Sequence, residues 1–122
     1  MVFQHKERRK FGRIYLKPDQ AVVLLQTPKD SEDICGRILN MSEGGFGLGM
    51  KRDEISKFSI GNDLKIKEIF GSDEFRIEGE IILSVRWILD FQGISSIGAG
   101  CSFSYIDEIA MNQLLRIIEK HR

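Results

Sequence analysis

Short runs of apolar residues, separated by polar turns, recur along most of this chain. Residues 64–70 begin with strict alternation of apolar and charged side chains, as in a strand with one buried face. The sequence predicts six main strands, at 21–26, 34–39, 46–50, 64–70, 75–88 and 97–105, and a shorter one at 14–16. Strands this short, at hairpin spacing, favour a small antiparallel barrel.

The run at 75–88 is the longest of these, and it is predicted as one long strand or a bent pair. Its large apolar side chains share one parity, so an uninterrupted strand would place them on one face. They are Phe75, Ile77, Ile81, Leu83, Val85 and Trp87. Gly79 has the same parity and is the candidate for a β-bulge.

The last segment, residues 107–121, has the pattern of an amphipathic helix. Asp107 is a suitable N-cap, and the basic residues at 120–122 suit a helix C-terminus. Helical spacing joins the apolar side chains of Ala110, Met111, Leu114, Leu115, Ile117 and Ile118. This stripe would pack on the strands or form a dimer face. The predicted fold is therefore all-β with a C-terminal helix: a six-stranded antiparallel β-barrel over 14–122, closed by the helix.

Composition limits the class of protein. The 122 residues suit one domain that buries a core without disulfides or metals. The longest apolar runs, such as 21–25, are too short to span a membrane, and the chain becomes polar within its first few residues, unlike a signal peptide. We expect a cytoplasmic protein, monomeric or homodimeric.

The cysteines and histidines offer little chemistry. Cys35 and Cys101 lie far apart in strand-like runs, which favours two buried thiols over a disulfide. His5 and His121 lie near the termini, where ordered catalytic or metal chemistry is not expected. The sequence has no metal-ligand spacing and no evident nucleophile–base pair. We expect no enzyme, no metal and no cofactor.

Positive charge is concentrated at the start of the chain. Residues 1–17 contain six Lys or Arg and one Glu, a net +5, so residues 18–122 carry −5. We predict that residues 1–13 form a flexible basic arm. Arg9 and Arg13 are four residues apart, and each guanidinium can make two parallel hydrogen bonds to a phosphate or a guanine edge. The arm could therefore clamp an anion, or it could be a solubilising tail.

A polar segment at 40–45 separates two of the predicted strands. Asn40 and Ser42 provide hydrogen-bonding groups, and Gly44 and Gly45 would allow a turn with positive φ. Taken alone, this segment could be a plain Asx turn.

Together, Arg9-x-x-x-Arg13 and Asn40-x-Ser42-x-x-Gly45 resemble the two-part signature of PilZ domains, the bacterial receptors for cyclic di-GMP. Val85-x-Trp87 and Gly100-x-x-Phe103 match later strand patterns of that family. The resemblance covers nearly the whole chain. It implies the same six-stranded barrel with a C-terminal helix.

The resemblance also implies a ligand and its contacts. Cyclic di-GMP has two phosphates and two guanines, and Arg9 and Arg13 would each contact a phosphate or a guanine Hoogsteen edge. Asn40 and Ser42 would contact the ligand from the opposite wall, and Gly45 would leave room for a base. In the family, a basic residue at the position of Arg8 accompanies binding of two stacked ligand molecules, so two per chain are expected.

Two other functions remain open. The chain could be a PilZ-like interaction module that no longer binds the nucleotide and docks a protein partner instead. It could also be a small barrel that binds single-stranded nucleic acid through the basic arm. The acidic body argues against binding of single-stranded nucleic acid, and no DNA partner is expected. As a receptor, the chain would pass the signal to a downstream protein that the sequence does not identify.

Overall fold

The computed structural model describes residues 12–17, 19–27, 33–57, 59–90 and 96–121. Its strands, in chain order, are β1 (Ile14–Tyr15), β2 (Ala21–Gln26), β3 (Asp33–Ser42), β4 (Gly45–Lys51), β5 (Asp63–Gly71), β6 (Ile81–Leu89) and β7 (Ser96–Ile106). Two 3-10 helices cover Arg52–Lys57 and Asp73–Phe75, and one α-helix, α1, covers Glu108–His121.

Six of the strands form a closed antiparallel barrel. Its order is β3-β2-β5-β6-β7-β4, and β4 pairs with β3 to close the ring. The predicted six-stranded barrel with a C-terminal helix is therefore confirmed. The additional strand, β1, pairs with the C-terminal end of β3, with Tyr15 opposite Asn40.

Alternating side chains fill the barrel. In β2, Ala21, Val23 and Leu25 point inward and are fully buried, while the residues between them are partly exposed. The buried side chains of all the barrel strands belong to one hydrophobic core. This core holds the barrel surface in a fixed register.

The helix packs on this core. Ala110, Leu114, Ile117 and Ile118 are buried, so the apolar stripe of α1 covers the barrel of its own chain. At the far end of the helix, His121 stacks on the buried Phe75, with ring centroids 4.7 Å apart. Of the two roles considered for the stripe, packing on the strands is the one observed.

Asp107 joins the start of this helix to the chain before β6. Its carboxylate accepts hydrogen bonds from the backbone N–H of Ala110 (2.8 Å) and of Glu80 (2.7 Å), which confirms the predicted N-cap. These two backbone hydrogen bonds hold the pKa of the Asp107 carboxyl below its usual value. The bond from Ala110 has the larger effect, and the bond from Glu80 the next.

The stability that Asp107 provides should depend on pH. Because its folded-state pKa is lowered, the contribution is present above the unfolded pKa of about 3.9 and is lost as pH falls through the folded pKa. We expect Asp107→Ala to lower the melting temperature at neutral pH, and this difference to shrink in acid. Asp107→Asn, which keeps one acceptor oxygen but cannot ionise, is the control. Thermal unfolding between neutral and strongly acidic pH checks this; a pH-independent difference for Asp107→Ala would contradict it.

Two expectations from the sequence were wrong. Residues 75–80 are not part of a strand, because a 3-10 helix ends at Phe75 and Gly79 has a φ of 101° that interrupts the extended backbone. Cys35 is exposed on the outer face of β3, whereas Cys101 is buried as expected. Burial raises the pKa of the Cys101 thiol to about 12, so this thiol stays neutral.

Neither a membrane helix nor a metal site is found in the described residues. No helix there is long and apolar enough to cross a bilayer. The described His, Cys, Asp and Glu side chains likewise form no group of three that could hold a metal ion.

Candidate functional site

Arg13 and Asn40 are brought together by the pairing of β1 with β3. The exposed Arg13 immediately precedes β1, and its Nη1 donates a hydrogen bond of 2.8 Å to Asn40 Oδ1. Before it, Gly12 has a φ of 66°, a left-handed conformation that glycine adopts without strain. The basic segment and the polar segment, 27 residues apart in sequence, therefore meet at one end of the barrel.

A β-bulge turns Asn40 and Ser42 outward. Along β3, Ile34, Gly36 and Ile38 are buried, so strict alternation would also place Asn40 and Ser42 inside. The pairing with β4 shifts between Ile38 and Asn40, and Met41 becomes the next buried residue. The extra residue gives β3 a polar outer face at this end.

The hairpin between β3 and β4 is tighter than predicted. Asn40, Met41 and Ser42 belong to β3, and the turn itself consists of Glu43 and Gly44. Ser42 Oγ accepts from the Gly44 N–H and donates to the Gly45 carbonyl, both at 3.3 Å. The Phe103 N–H donates to the Gly44 carbonyl at 3.0 Å, which fixes the turn to β7.

The suggested positive φ at Gly44 and Gly45 is not observed. Among the described residues, the glycines with positive φ are Gly12, Gly61, Gly71 and Gly79. Gly45 is instead required by close packing. A Cβ added there would overlap the Cys101 carbonyl oxygen and lie 2.8 Å from the Ser102 Cα.

A row of four paired residues crosses the barrel next to this hairpin. Asn40 lies opposite Gly47, Gly47 opposite Gly100, and Gly100 opposite Trp87. A Cβ on Gly47 would lie 2.8 Å from Asn40 Oδ1, and one on Gly100 would overlap the Trp87 indole. The two glycines therefore form a floor that the Asn40 amide and the Trp87 ring partly cover.

Trp87 is an addition to the predicted site, because the sequence analysis gave it only as part of a strand pattern. Its parity matched the buried residues of β6, but the pairing with β7 shifts between Val85 and Trp87. After this bulge the indole points outward and is 43% exposed. The alternating glycines of β4 and the Gly100-x-x-Phe103 pattern were the available signal, because strand glycines often mark a close approach.

The structure thus unites part of the predicted set. Arg13, Asn40, Ser42 and Gly45 lie together at the β3–β4 hairpin and the start of β1. Arg8 and Arg9 lie outside the described residues, as does nearly all of the predicted arm. The group offers a guanidinium, an amide, a hydroxyl and an exposed indole on one surface, which suits a planar anion with hydrogen-bonding edges.

Comparison with known proteins identifies a family and a fold. A family model described as PilZ domain matches residues 7–120. No curated protein sequence matches the chain significantly. The solved structures that match include the K. pneumonia MrkH–c-di-GMP complex (17% identity, TM-score 0.68), covering 88% of this chain and 48% of that one.

Two further solved structures have the same fold. The PilZ domain of Escherichia coli YcgR with c-di-GMP matches at 15% identity and a TM-score of 0.64, over 89% of this chain and 87% of that one. Bacillus subtilis MotI/DgrA, an inhibitor of motility, matches at 18% identity and a TM-score of 0.65, over 89% and 49%. The chain spans about half the length of the MrkH and MotI chains.

Proposed function

This chain belongs to the PilZ domain family, and on that premise we propose that it is a receptor for cyclic di-GMP and not an enzyme. Two of the similar structures, MrkH and the PilZ domain of YcgR, are complexes with this nucleotide. The proposal extends their ligand to a chain of the same fold whose Arg9-x-x-x-Arg13 and Asn40-x-Ser42-x-x-Gly45 segments resemble the family signature.

The hydrogen bond between Arg13 and Asn40 is the observation that carries the proposal. It joins the two motifs at 2.8 Å, so both walls of the proposed site face each other. A site with its donors and acceptors already oriented loses less entropy on binding than one that must assemble. The tight Ser42 hairpin, held by Gly44 and by β7, adds to this rigidity.

Each polar group has a role that suits the ligand. Arg9 and Arg13 would bind phosphate or the guanine O6 and N7 acceptors through paired N–H donors. Asn40 and Ser42 would donate to and accept from the ligand on the barrel side. Trp87 lies at the opposite end of the two-glycine row from Asn40, and a base could stack on its exposed ring.

Binding would be converted into a signal at the arm. Ordering of the arm residues before Gly12 around the ligand would change the surface presented to a downstream protein. A receptor for an intracellular messenger would also act in the cytoplasm, so we retain that location as a prediction. MrkH is described as a c-di-GMP-dependent transcription regulatory factor; for this chain we propose a protein partner and no DNA partner.

Calorimetry of the purified chain with cyclic di-GMP, GTP and a short single-stranded oligonucleotide tests the function. Selective binding of cyclic di-GMP is expected. Equal affinity for the oligonucleotide would favour the nucleic-acid alternative. Binding of none of the three would favour the interaction module that has lost its ligand.

Gly47→Ala tests the floor of the site. The added methyl would displace the Asn40 amide from its position next to Arg13, so we expect affinity to fall about tenfold, the scale of one lost hydrogen bond. Gly61→Ala is a control, because a Cβ there meets nothing within 4 Å, although its φ of 92° will cost some stability. Calorimetry on both, with thermal unfolding to confirm folding, gives the answer. Unchanged affinity in Gly47→Ala would show that Asn40 does not contribute to binding.

The number of bound ligands tests Arg8. Two stacked molecules carry four phosphates, which is more charge than Arg9 and Arg13 can neutralise, and a third guanidinium could also stack on a purine. We expect two molecules per chain, and one in Arg8→Leu. Calorimetric stoichiometry measures both; a parent value of one, or a variant that still binds two, would leave Arg8 without this role.

A further inference from the structure

A concave surface on the barrel is lined by residues other than those of the Arg13–Asn40 site. It is a groove of about 460 Å³ between β2, β3, β4 and the beginning of β7. Its lining is mainly apolar and includes Val22, Met50 and the exposed Cys35. Arg37, Lys51 and Glu54 provide its charged groups.

The groove has an excess of positive charge. Glu54 forms an ion pair with Lys57 at 3.0 Å, which offsets its carboxylate. The side chains of Arg37 and Lys51 make no hydrogen bond or ion pair with any residue in the described ranges. Because the body of the protein is acidic overall, two unpaired cations beside an apolar surface are a local reversal of charge.

The shape of the groove suits an extended chain. Val22 pairs with Arg37 across β2 and β3, Arg37 with Gly49 across β3 and β4, and Lys51 with Ser96 across β4 and β7. Four neighbouring strands span about 14 Å, which is the length of about four residues of extended peptide. A compact ligand would leave much of this length uncovered.

We propose that this groove binds an extended acidic segment of a partner protein, with apolar residues at its centre and carboxylates at Arg37 and Lys51. Apolar side chains would cover the partly exposed Val22, and the carboxylates would neutralise the two cations. The proposal concerns a different surface from the nucleotide site and does not depend on nucleotide binding.

Cys35 provides a direct readout of occupancy. Its exposed thiol lines the groove, while Cys101 is buried, so a maleimide should label Cys35 selectively in the folded chain. The probe is a capped peptide of sequence EDLVED, compared with KKLVKK and EDSSED. We expect saturating EDLVED to slow the labelling of Cys35 about fivefold or more, as a bound chain shields the thiol, and the other two peptides to have little effect.

Charge reversal identifies the surface. Arg37→Glu and Lys51→Glu, made separately, should each raise the EDLVED concentration needed for half protection by about threefold to tenfold. Lys65→Glu, an exposed cation on β5 outside this groove, makes the same charge change and should leave protection unchanged. Two independent variants keep the test valid if one of them does not fold.

Several outcomes would overturn the proposal. Equal protection by KKLVKK or EDSSED would show that apolar and acidic groups are not recognised together. Protection that survives both charge reversals would place the peptide elsewhere. Protection by cyclic di-GMP that both reversals abolish would assign the groove to the nucleotide, and absence of protection by EDLVED would reject a peptide site.

Discussion

Arg13→Ala is expected to weaken cyclic di-GMP binding by about 2–4 kcal/mol, which is roughly a 30-fold to 1000-fold loss of affinity. The Arg13 guanidinium carries a positive charge in the described part of the site, and it is bonded to Asn40. Its removal takes away a charge-assisted contact to the ligand and leaves the Asn40 amide without its orienting donor. Arg9→Ala should have an effect of the same size if both arginines of the motif grip the ligand.

Two further variants separate charge from geometry. Arg13→Lys keeps the positive charge but loses the planar fork, so an intermediate affinity is expected. Lys17→Ala removes the same charge from an exposed position just beyond β1 and should bind almost normally. Since Arg13 is exposed, unfolding by denaturant should be unchanged in all of them. Arg13→Ala binding as tightly as the parent would refute the clamp.

Gly45→Ala is expected to destabilise the fold by about 3 kcal/mol, at the upper end of the usual cost of overpacking. The added Cβ would meet backbone atoms of Cys101 and Ser102, which are held in the ladder between β4 and β7. A flexible side chain could move aside, but two paired strands must separate. Equilibrium unfolding in denaturant measures the loss.

Gly44→Ala is the matched control for this prediction. The neighbouring glycine has φ outside the left-handed region, and a Cβ there comes no closer than 4.0 Å to Ser42 Oγ. It should therefore be tolerated with little change in stability. If Gly45→Ala were as stable as Gly44→Ala but bound ligand poorly, the role of Gly45 would be to accommodate the base, as the sequence suggested.

Hydrophobic period and spacing were sufficient to predict the barrel. Residues 21–26 form β2 with the predicted ends, and the helical stripe after Asp107 packs as an amphipathic helix should. The family signature predicted that the arginines and Asn40 would contact one ligand from opposite walls; the direct bond from Arg13 to Asn40 is an addition from the structure. The strand and the helix depend on patterns that local sequence carries.

The sequence could not predict which side chains face outward beyond the β-bulges, because this depends on strand pairing. A bulge adds one residue to one strand and reverses the faces beyond it, and it has no reliable composition. One such shift turns Trp87 outward, and another exposes Asn40 and Ser42. Cys35 was misplaced for a simpler reason, since a cysteine in an apolar run is usually buried but here occupies an outward position of β3.

The outward turn of Trp87 gives the protein an intrinsic optical probe. The chain contains a single tryptophan, so fluorescence excited at the red edge of the indole band comes from this ring and no other. The ring is 43% exposed above Gly100, in the same row as Asn40. Water or a nucleobase over the indole would change its emission differently, so events on this face can be followed in unlabelled protein as they occur.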